Sequence, residues 1–349
     1  MTSPQSSGPS NGPTSSPPLD LLVLGGTSWL GGAIARHAAA RGHRVTCLAR
    51  GRAGTPPDGV TWVRSDRSAG DGYDEVRDRD WDAVVEVSWQ PDFVRSALAA
   101  LSGRVRHWVY VSSESVYADD TTPDQDETGP LHPAHVGTGT VDAEAYGPAK
   151  VACEEAVLAA MGADHVLVAR SGLIAGYGDL SDRFGYWPAR LARAADGEPV
   201  LVPPRETAVQ VVDVEDQAAW LVDVAERRTA GVVNVNSTTT TFGALLDAAL
   251  TAAGTRPELV EVSDAFLTEQ EVTPWSGPDS LPVWLPVDEY AGFMRRSTTA
   301  AQERGLTIRP LTETVADALT WERERGLDRE RRAGLTPARE AELLAQARR

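Results

Sequence analysis

A tyrosine and a lysine that stand four positions apart carry the clearest catalytic signal in this sequence. Tyr146 and Lys150 lie in the segment DAEAYGPAKVACEEAVLAAMG, and on a helix both side chains would leave from one face. A neighbouring ammonium group stabilises a phenolate, which makes a tyrosine hydroxyl useful for proton transfer near neutral pH. The pair predicts acid–base chemistry at an alcohol or a carbonyl group, although such pairs are also common on helix surfaces.

A serine upstream of this pair has the chemistry to hold the reacting oxygen. In the segment YVSSESVYA, Ser113 is predicted to end a strand. Its hydroxyl would position the substrate oxygen and stabilise charge as that oxygen changes between carbonyl and alcohol. Ser113, Tyr146 and Lys150 are therefore the predicted catalytic residues. Tyr146 and Lys150 are also predicted to bind the cofactor, because Lys150 can hydrogen-bond the nicotinamide ribose and fix the hydride-bearing carbon next to the tyrosine.

The glycine-rich segment LLVLGGTSWLGG, residues 21–32, predicts where a dinucleotide binds. Gly25 would allow a tight turn after a strand, and Gly31 would let the following helix pack close to it. The first N–H groups of that helix would face a diphosphate. Ser28 replaces the middle glycine of the simplest pattern, and its small side chain should still clear the phosphate. The predicted cofactor-binding residues of this segment are Gly25, Gly26, Thr27, Ser28, Trp29, Leu30 and Gly31.

The end of the second predicted strand bears on which dinucleotide is used. A carboxylate that binds the ribose hydroxyls of NAD(H) is usual there, but here Ala49 is followed by Arg50 and Arg52. Guanidinium groups pair well with phosphate, so NADP(H) is favoured as the cofactor and NAD(H) is the alternative. Both arginines could equally be solvated. Asp66, which closes the third strand, is either a contact to the adenine or an ordinary turn residue.

Alternating short apolar runs and helical segments must hold these residues in place. Helices are predicted at residues 30–41 and 91–101, and the predicted strands are residues 19–26, 43–49, 60–66, 81–89, 106–113, 165–172 and 231–237. Strands this continuously apolar, separated by helices, indicate a parallel sheet that is covered on both faces. The predicted fold class is α/β, a Rossmann-type doubly wound parallel sheet with a smaller C-terminal substrate lobe.

The predicted organisation has four parts. Residues 1–18 are rich in Ser, Pro and Gly and form a disordered tail. Residues 19–174 form most of the dinucleotide-binding domain, and residues 175–325 form most of the substrate lobe together with returning elements of the sheet. Residues 326–349 form a helical tail, in which Thr336 is a candidate N-cap.

Composition and charge limit the class of protein. The chain has 349 residues and 42% apolar content, enough for a sizeable core. Its 33 basic and 50 acidic residues disfavour nucleic acid and anionic membranes as partners, since both are polyanions. Cys47 and Cys153 are too few for a disulfide framework and are interpreted as reduced thiols. The N-terminus lacks the features of a signal peptide and no apolar stretch is long enough to span a membrane, so a cytoplasmic location is predicted.

Taken together, these motifs resemble the extended short-chain dehydrogenases/reductases of the NAD(P)-dependent epimerase/dehydratase kind, over roughly residues 19–325. The resemblance rests on the glycine-rich turn, the serine of SSESVYA and the Tyr-x-x-x-Lys pair. Residues 213–222 and 231–237 also resemble later segments of that family. It implies an NAD(P) cofactor, a small-molecule substrate and the catalytic roles given above. It also suggests a homodimer, because relatives often pair through the helix that carries the tyrosine and the lysine.

Two positions depart from the sugar-nucleotide enzymes of this family. Leu173 stands where an asparagine usually helps to hold the nucleotide diphosphate, and Val209 replaces an arginine that usually clamps it. Arg183, Arg190 or Arg205 could substitute from elsewhere in the chain. A diphosphate without such partners binds poorly, so a smaller or less charged substrate is predicted. The aromatic residues of the late loops fit either a partly apolar pocket or the core, and they are Tyr177, Phe184, Tyr186, Trp187, Trp275 and Trp284.

The preferred interpretation is an NAD(P)-dependent oxidoreductase that interconverts a carbonyl and a secondary alcohol on a small molecule. The first alternative is an NAD-dependent sugar-nucleotide epimerase/dehydratase, and the second is a non-catalytic regulator that binds a dinucleotide. No metal site is predicted, because His132 and His135 lack an evident third ligand. Glu86 is either near the site or a hydrogen-bonded structural carboxylate.

Overall fold

The computed structural model describes residues 17–348 of the chain, so nearly all of the tail predicted for residues 1–18 lies outside the described residues. The strands are β1 Asp20–Leu24, β2 Arg44–Leu48, β3 Thr61–Val63, β4 Ala83–Glu86, β5 Trp108–Ser113, β6 Val166–Ser171, β7 Ile174–Ala175, β8 Pro199–Val202, β9 Ala208–Val209, β10 Val212–Asp213, β11 Gly231–Val235, β12 Thr240–Thr241, β13 Glu258–Glu261, β14 Thr273–Trp275 and β15 Ser280–Pro282. The α-helices are α1 Trp29–Ala40, α2 Pro91–Leu101, α3 Tyr146–Met161, α4 Tyr186–Arg193, α5 Val214–Arg227, α6 Phe242–Ala253, α7 Asp264–Glu269, α8 Val287–Tyr290, α9 Thr299–Glu303, α10 Leu311–Arg325 and α11 Pro337–Ala347. Single 3₁₀ turns span Ser102–Arg104, Glu114–Val116, Ala143–Ala145 and Ala163–His165.

Seven strands form one parallel sheet in the order β11-β6-β5-β4-β1-β2-β3. These are the seven strands predicted from the apolar runs, and the α/β fold class is confirmed. Helices α1 and α5 pack on one face of the sheet, and α2 and α3 pack on the other. The strands are apolar throughout because side chains on both faces are buried, as in β1, where residues 21–24 are at most 1% exposed.

The strand order reverses direction at β1, which pairs with β2 on one side and β4 on the other. In a doubly wound sheet, ligands bind in the crevice beyond the carboxyl ends of the strands at such a point. The glycine-rich segment follows β1, and Ser113 ends β5. The topology therefore brings the predicted cofactor and catalytic segments to the same edge of the sheet.

The late part of the chain builds a lobe with its own hydrophobic core. This core includes residues of α4, α6 and α10 and of the two-stranded sheet that β8 forms with β13. Four of the aromatic residues flagged in the sequence are buried in it, namely Phe184, Tyr186, Trp187 and Trp284. Helix α11 packs Leu343 and Leu344 into the same core, and its N-cap Thr336 accepts a hydrogen bond from the Arg339 N–H at 3.2 Å.

The two helices predicted between the early strands are observed as α1 and α2, and residues 67–80 form turns. Cys47 and Cys153 are unpaired and buried. Within residues 17–348, no helix has both the length and the apolar composition needed to cross a membrane.

A buried ion pair joins α3 to β6 beneath the carboxyl edge of the sheet. Arg170 Nη2 lies 2.8 Å from Glu154 Oε2, and both side chains are at most 5% exposed. The hydroxyl of Ser112 donates a further hydrogen bond to Glu154, and Arg170 Nη1 donates to the hydroxyl of Tyr117 at 3.0 Å. The network fixes the helix that carries Tyr146 against the strands beside it.

Replacing Arg170 with methionine should destabilise the protein by about 3–5 kcal/mol, because the Glu154 carboxylate would stay buried without its counter-ion. Adding Glu154→Leu should recover part of the loss, since the uncompensated charge is then gone. The free energy of unfolding from urea titrations measures both effects. Arg205→Met is the matched control, because Arg205 pairs with Asp247 in an exposed site. This variant should lower the free energy of unfolding by less than about 1 kcal/mol. Equal losses in Arg170→Met and Arg205→Met would contradict the assignment.

Candidate active site

Ser113, Tyr146 and Lys150 line one cavity of about 570 Å³. Ser113 is the last residue of β5, Tyr146 is the first residue of α3, and Lys150 follows one helical turn later. Helix α3 packs against β5, so residues that are distant in sequence border the same space. The structure thus brings together the three residues that the sequence singled out for catalysis.

The ammonium group of Lys150 is held by backbone carbonyl oxygens. Its Nζ donates to the carbonyl oxygen of Val111 at 2.6 Å and to that of Ser88 at 3.3 Å. It also lies 4.8 Å from the centre of the Tyr110 ring, where a cation is attracted to the π face. The residue is only 2% exposed, so these contacts keep a buried positive charge in one place beside the cavity.

The hydroxyl of Tyr146 is available to a ligand. No described residue forms a hydrogen bond with it, while the edge of its ring packs against Trp89 at a centroid distance of 5.4 Å. Ser113 Oγ accepts a hydrogen bond from the Ser115 N–H at 3.2 Å and lies 3.2 Å from Ser115 Oγ. Trp89 was not singled out in the sequence, although it is the last residue of the strand predicted at residues 81–89.

The glycine-rich turn has the close packing that a dinucleotide cradle requires. Gly25 has φ +93°, and a Cβ there would lie 2.6 Å from the Val87 side chain. A Cβ on Gly31 would lie 2.3 Å from the Gly25 carbonyl oxygen, so the helix can start this close to the strand only with glycine. Ser28 is the N-cap of α1 and accepts a hydrogen bond from the Gly31 N–H at 3.3 Å. The turn and the first helical N–H groups fit a diphosphate.

The start of α1 also borders the catalytic cavity. Ser28, Trp29 and Leu30 line it together with the three predicted catalytic residues. The indole N–H of Trp29 donates to the carbonyl oxygen of Tyr177 at 2.8 Å, which ties the loop after β7 across the turn. A dinucleotide lying on the turn would therefore extend directly into the cavity that contains Tyr146.

A smaller cavity of about 140 Å³ lies on the other side of the glycine-rich turn. Thr27, Arg50, Arg52 and Asp66 line it. Of these, Arg50, Arg52 and Asp66 are the residues predicted to contact the adenosine end of a cofactor. Gly26 is not among the residues that line this cavity. A Cβ at Gly26 would lie 2.4 Å from the Cys47 sulfur, so this position needs glycine for packing against β2.

The charges in this smaller cavity are not all positive. The Asp66 carboxylate lies 3.7 Å from Arg50 Nη1, and hydrogen bonds from Ser68 lower the pKa of Asp66. Asp66 is therefore a turn residue and a cavity residue at once. Arg52 forms no ion pair within the part of the chain that the structure describes.

Two further residues of this cavity were missed in the sequence. Arg67 forms an ion pair with the fully buried carboxylate of Glu86, and its guanidinium carbon lies 5.3 Å from the centre of the Phe93 ring. Glu86 also accepts a hydrogen bond from the Ser88 N–H at 2.8 Å. Of the two roles considered for Glu86 in the sequence, these contacts fit the hydrogen-bonded structural carboxylate. The sequence signal that could have identified Arg67 is its position directly after Asp66, a predicted cofactor contact.

Glu114, which follows Ser113, is a buried carboxyl group at the edge of the catalytic cavity. Its Oε2 accepts a hydrogen bond from Asn236 Nδ2 at 3.1 Å, whereas Oε1 has no partner among the described residues. Burial raises the pKa of Glu114 to about 8, although Arg296 and Asn236 oppose the rise. The group is mostly protonated at neutral pH and can donate a proton. The sequence contained it in SSESVYA, but nothing local shows that it is buried.

The two positions that depart from sugar-nucleotide enzymes are part of the lobe core. Leu173 is 2% exposed and Val209 is fully buried, and both pack among apolar side chains. Neither of the two is among the residues that line the catalytic cavity.

The three arginines considered as substitutes differ in their surroundings. Arg190 is ion-paired with Glu340 at 2.8 Å, and Arg205 is paired with Asp247 at 2.8 Å. Arg183 alone of the three lines the catalytic cavity. It is therefore the candidate among them for contact with a substrate.

Apolar contact in the cavity comes from Trp275 and Phe293 of the late lobe, whose rings meet edge to face at 5.3 Å. Of the other aromatic residues flagged in the sequence, Tyr177 is 44% exposed. Within residues 17–348, no three histidine, cysteine or acidic side chains are arranged to hold a metal ion. His132 and His135 therefore belong to no such group among these residues.

Comparison with known proteins gives a family and a fold. The family model for the NAD dependent epimerase/dehydratase family matches residues 21–236. No curated protein matches the sequence significantly. A solved structure from Burkholderia cenocepacia J2315 is 22% identical and has a TM-score of 0.67, over 88% of this chain and 99% of that chain.

Two other solved structures have names that describe an activity. The NAD-dependent NDP-hexosamine 5,6-dehydratase TunA is 20% identical, with a TM-score of 0.65 over 89% of this chain and 100% of that chain. The UDP-glucose 4-epimerase of Thermus thermophilus, solved in complex with NAD, is 18% identical, with a TM-score of 0.60 over 87% and 99% of the two chains. At these identities the likeness shows a shared fold.

The buried carboxyl group of Glu114 should make stability depend on pH. Its pKa is about 8 in the folded protein and near the ordinary value of 4.5 when unfolded, so the folded state binds the extra proton between these values. Stability should therefore fall as pH rises from 4.5 to about 8, by up to about 1.4 kcal/mol per pH unit from this group. Glu114→Gln should lack this contribution.

Urea titrations at pH values from about 5 to 8 measure how the free energy of unfolding of wild type and of Glu114→Gln depends on pH. This is the range in which only the folded state keeps the proton. Glu155→Gln is the control, because Glu155 is exposed on α3 and the variant should keep the wild-type slope. Parallel curves for wild type and Glu114→Gln would mean that Glu114 is ionised in the folded protein.

Proposed function

Because the chain belongs to the NAD dependent epimerase/dehydratase family, we propose that it is an enzyme that interconverts a secondary alcohol and a carbonyl group of a small molecule. A nicotinamide dinucleotide would bind along the glycine-rich turn, and Tyr146 would transfer the proton. The observation that supports this most directly is the common cavity, which Ser28, Tyr146 and Lys150 line together.

Each catalytic side chain has a separate task in the proposal. When bound, the nicotinamide ring supplies or takes up hydride at the reacting carbon. Tyr146 gives a proton to the carbonyl oxygen during reduction and takes it back during oxidation. Ser113 donates a hydrogen bond to that oxygen and stabilises the charge that develops on it. Lys150 holds its positive charge one helical turn from Tyr146, beside the same cavity.

The overall reaction is proposed to be of the epimerase or dehydratase type. The sequence favoured a net reductase, but the family match and the named structural relatives favour an enzyme that retains its dinucleotide. Glu114 adds support, because a dehydratase needs a second group that can exchange protons near the reacting carbons. A net reductase is the second candidate, and the buried Leu173 and Val209 favour a substrate smaller than a sugar nucleotide for either reaction.

Purified protein distinguishes these reactions. An epimerase or dehydratase should keep close to one nicotinamide per chain through gel filtration and should consume none of it during turnover. A reductase should exchange the dinucleotide and consume NADPH in proportion to product. A chain that binds the dinucleotide but turns over no carbonyl or alcohol would instead be a regulator.

Tyr146→Phe should reduce kcat by about 10²–10⁴-fold, because the proton donor is lost while the ring and the fold stay the same. Tyr177→Phe is the matched control, because the Tyr177 hydroxyl bonds to Glu324 outside the catalytic cavity and this variant should keep wild-type activity. Turnover is followed by product formation, and dinucleotide binding is measured separately to show that the site is intact. Less than a tenfold loss in Tyr146→Phe would remove the tyrosine from the proposed mechanism.

The predicted preference for NADP(H) depends on Arg52, since Arg50 already lies near a carboxylate. Arg52→Ala should weaken NADP⁺ binding by about 10–100-fold and change NAD⁺ binding less than twofold, because only NADP⁺ carries the 2′-phosphate. Dissociation constants from fluorescence titration measure this. Arg77→Ala is the control, because Arg77 is an exposed arginine paired with Asp74. Equal effects of Arg52→Ala on both dinucleotides, or none on either, would mean that no phosphate binds there.

A further inference from the structure

Arg183 places a positive charge on the substrate side of the catalytic cavity. It lies in the loop between β7 and α4, and it borders the cavity with Tyr146, Trp275 and Phe293. Its charge is close enough to Tyr146 for the two groups to interact electrostatically. A substrate atom next to the tyrosine hydroxyl would therefore be near this guanidinium group.

The terminal nitrogens of the Arg183 guanidinium form no ion pair in the part of the chain that the structure describes. Only its Nε finds an acceptor, the hydroxyl of Ser181 at 3.3 Å. The nearby Asp179 carboxylate accepts hydrogen bonds from the Ser181 N–H at 2.7 Å and from the Ser181 hydroxyl at 2.8 Å, and it forms no ion pair with Arg183. The two terminal nitrogens remain free for a ligand.

Burial makes such a charge costly. Burial lowers the pKa of Arg183, while Asp179 and Tyr146 act in the opposite direction. Arginine nevertheless stays protonated in proteins, so the folded chain carries a partly desolvated cation at this point. An anionic ligand would offset the cost and would meet two parallel N–H donors.

The position of the guanidinium group is held by an aromatic ring. Its carbon lies 5.2 Å from the centre of the Trp275 ring. Trp275 itself has φ +69°, and its backbone is held by hydrogen bonds in which its N–H donates to Trp284 and its carbonyl oxygen accepts from Val283. Non-glycine residues rarely adopt this conformation, which costs energy and persists only where neighbouring contacts impose it.

We propose that the substrate carries a carboxylate close to its reacting carbon and that Arg183 binds this carboxylate through its two terminal nitrogens. This inference rests on the proposed function, since it names the substrate class for the same site: a hydroxy acid or keto acid with an apolar portion against Trp275 and Phe293. Arg183 is then a specificity-determining residue that holds the carbonyl carbon within reach of Tyr146.

A single negative charge fits this site better than a diphosphate. Arg183 is one guanidinium group, and no other arginine is among the described residues that line the catalytic cavity. The other arginines that could have clamped a diphosphate, Arg190 and Arg205, are engaged in ion pairs elsewhere. A carboxylate has one charge and two coplanar oxygens, which match the arginine fork.

The test compares keto acids with their neutral primary amides. Calorimetry measures the binding of each keto acid to the protein saturated with oxidised dinucleotide. The acids are benzoylformate and its homologues with one or two methylene groups between carbonyl and carboxylate. Oxidised dinucleotide cannot reduce a ketone, so binding is measured without turnover. The same titrations on the chain without dinucleotide, and with UDP as a diphosphate probe, complete the set.

At least one acid should bind about 10–100-fold more tightly than its amide, as expected for a charge-assisted pair of hydrogen bonds. Arg183→Met should remove this preference, and Arg183→Lys should retain part of it. Arg205→Met makes the same change at an ion-paired arginine outside the cavity and should keep the full preference. Thermal unfolding of each variant shows whether the fold is kept.

Equal binding of every acid and its amide would overturn the inference, as would a preference that survives Arg183→Met. UDP binding that exceeds that of all the acids and is lost in Arg183→Met would also overturn it, because Arg183 would then hold a diphosphate. These results are independent of the proposed function, which fails instead if the protein binds no dinucleotide or if Tyr146→Phe retains activity.

Discussion

A buried ammonium group, held by the ends of two neighbouring strands, is the feature on which the site depends. Lys150 is almost fully buried, and its charge is stabilised by the carbonyl oxygens of Val111 and Ser88. These carbonyls belong to β5 and to the segment after β4, so the register of the sheet determines where the charge lies. Tyr146 stands one turn before Lys150, and its position follows from the same contacts.

The second lobe supplies what the sheet cannot. The doubly wound sheet and its helices provide the proposed dinucleotide cradle and the groups proposed to transfer the proton. The late lobe has a separate core and contributes Arg183, Trp275 and Phe293 to the same cavity. This division would let the lobe change its substrate contacts without disturbing Lys150 or the glycine-rich turn.

Much of the fold could be predicted from local patterns. Continuous apolar runs identify the seven strands, since parallel strands covered on both faces have no polar side. The site was predictable where a motif has a fixed local geometry, as in the turn at Gly25 or the helical spacing of Tyr146 and Lys150. Glu114, Arg67 and Arg183 were less accessible, because their roles depend on burial and on partners far away in the sequence.

By itself the sequence determined the α/β fold class and the family resemblance, and it led to the proposal of which groups move a proton. These follow from short-range rules, in which spacing along a helix or a strand decides which face a residue occupies. Only the tertiary structure decided which charges are neutralised. Arg190 and Arg205 have carboxylate partners, whereas Arg183 faces the cavity without one among the described residues. Ion pairing and desolvation act through space between distant segments, so no local pattern in the chain records them.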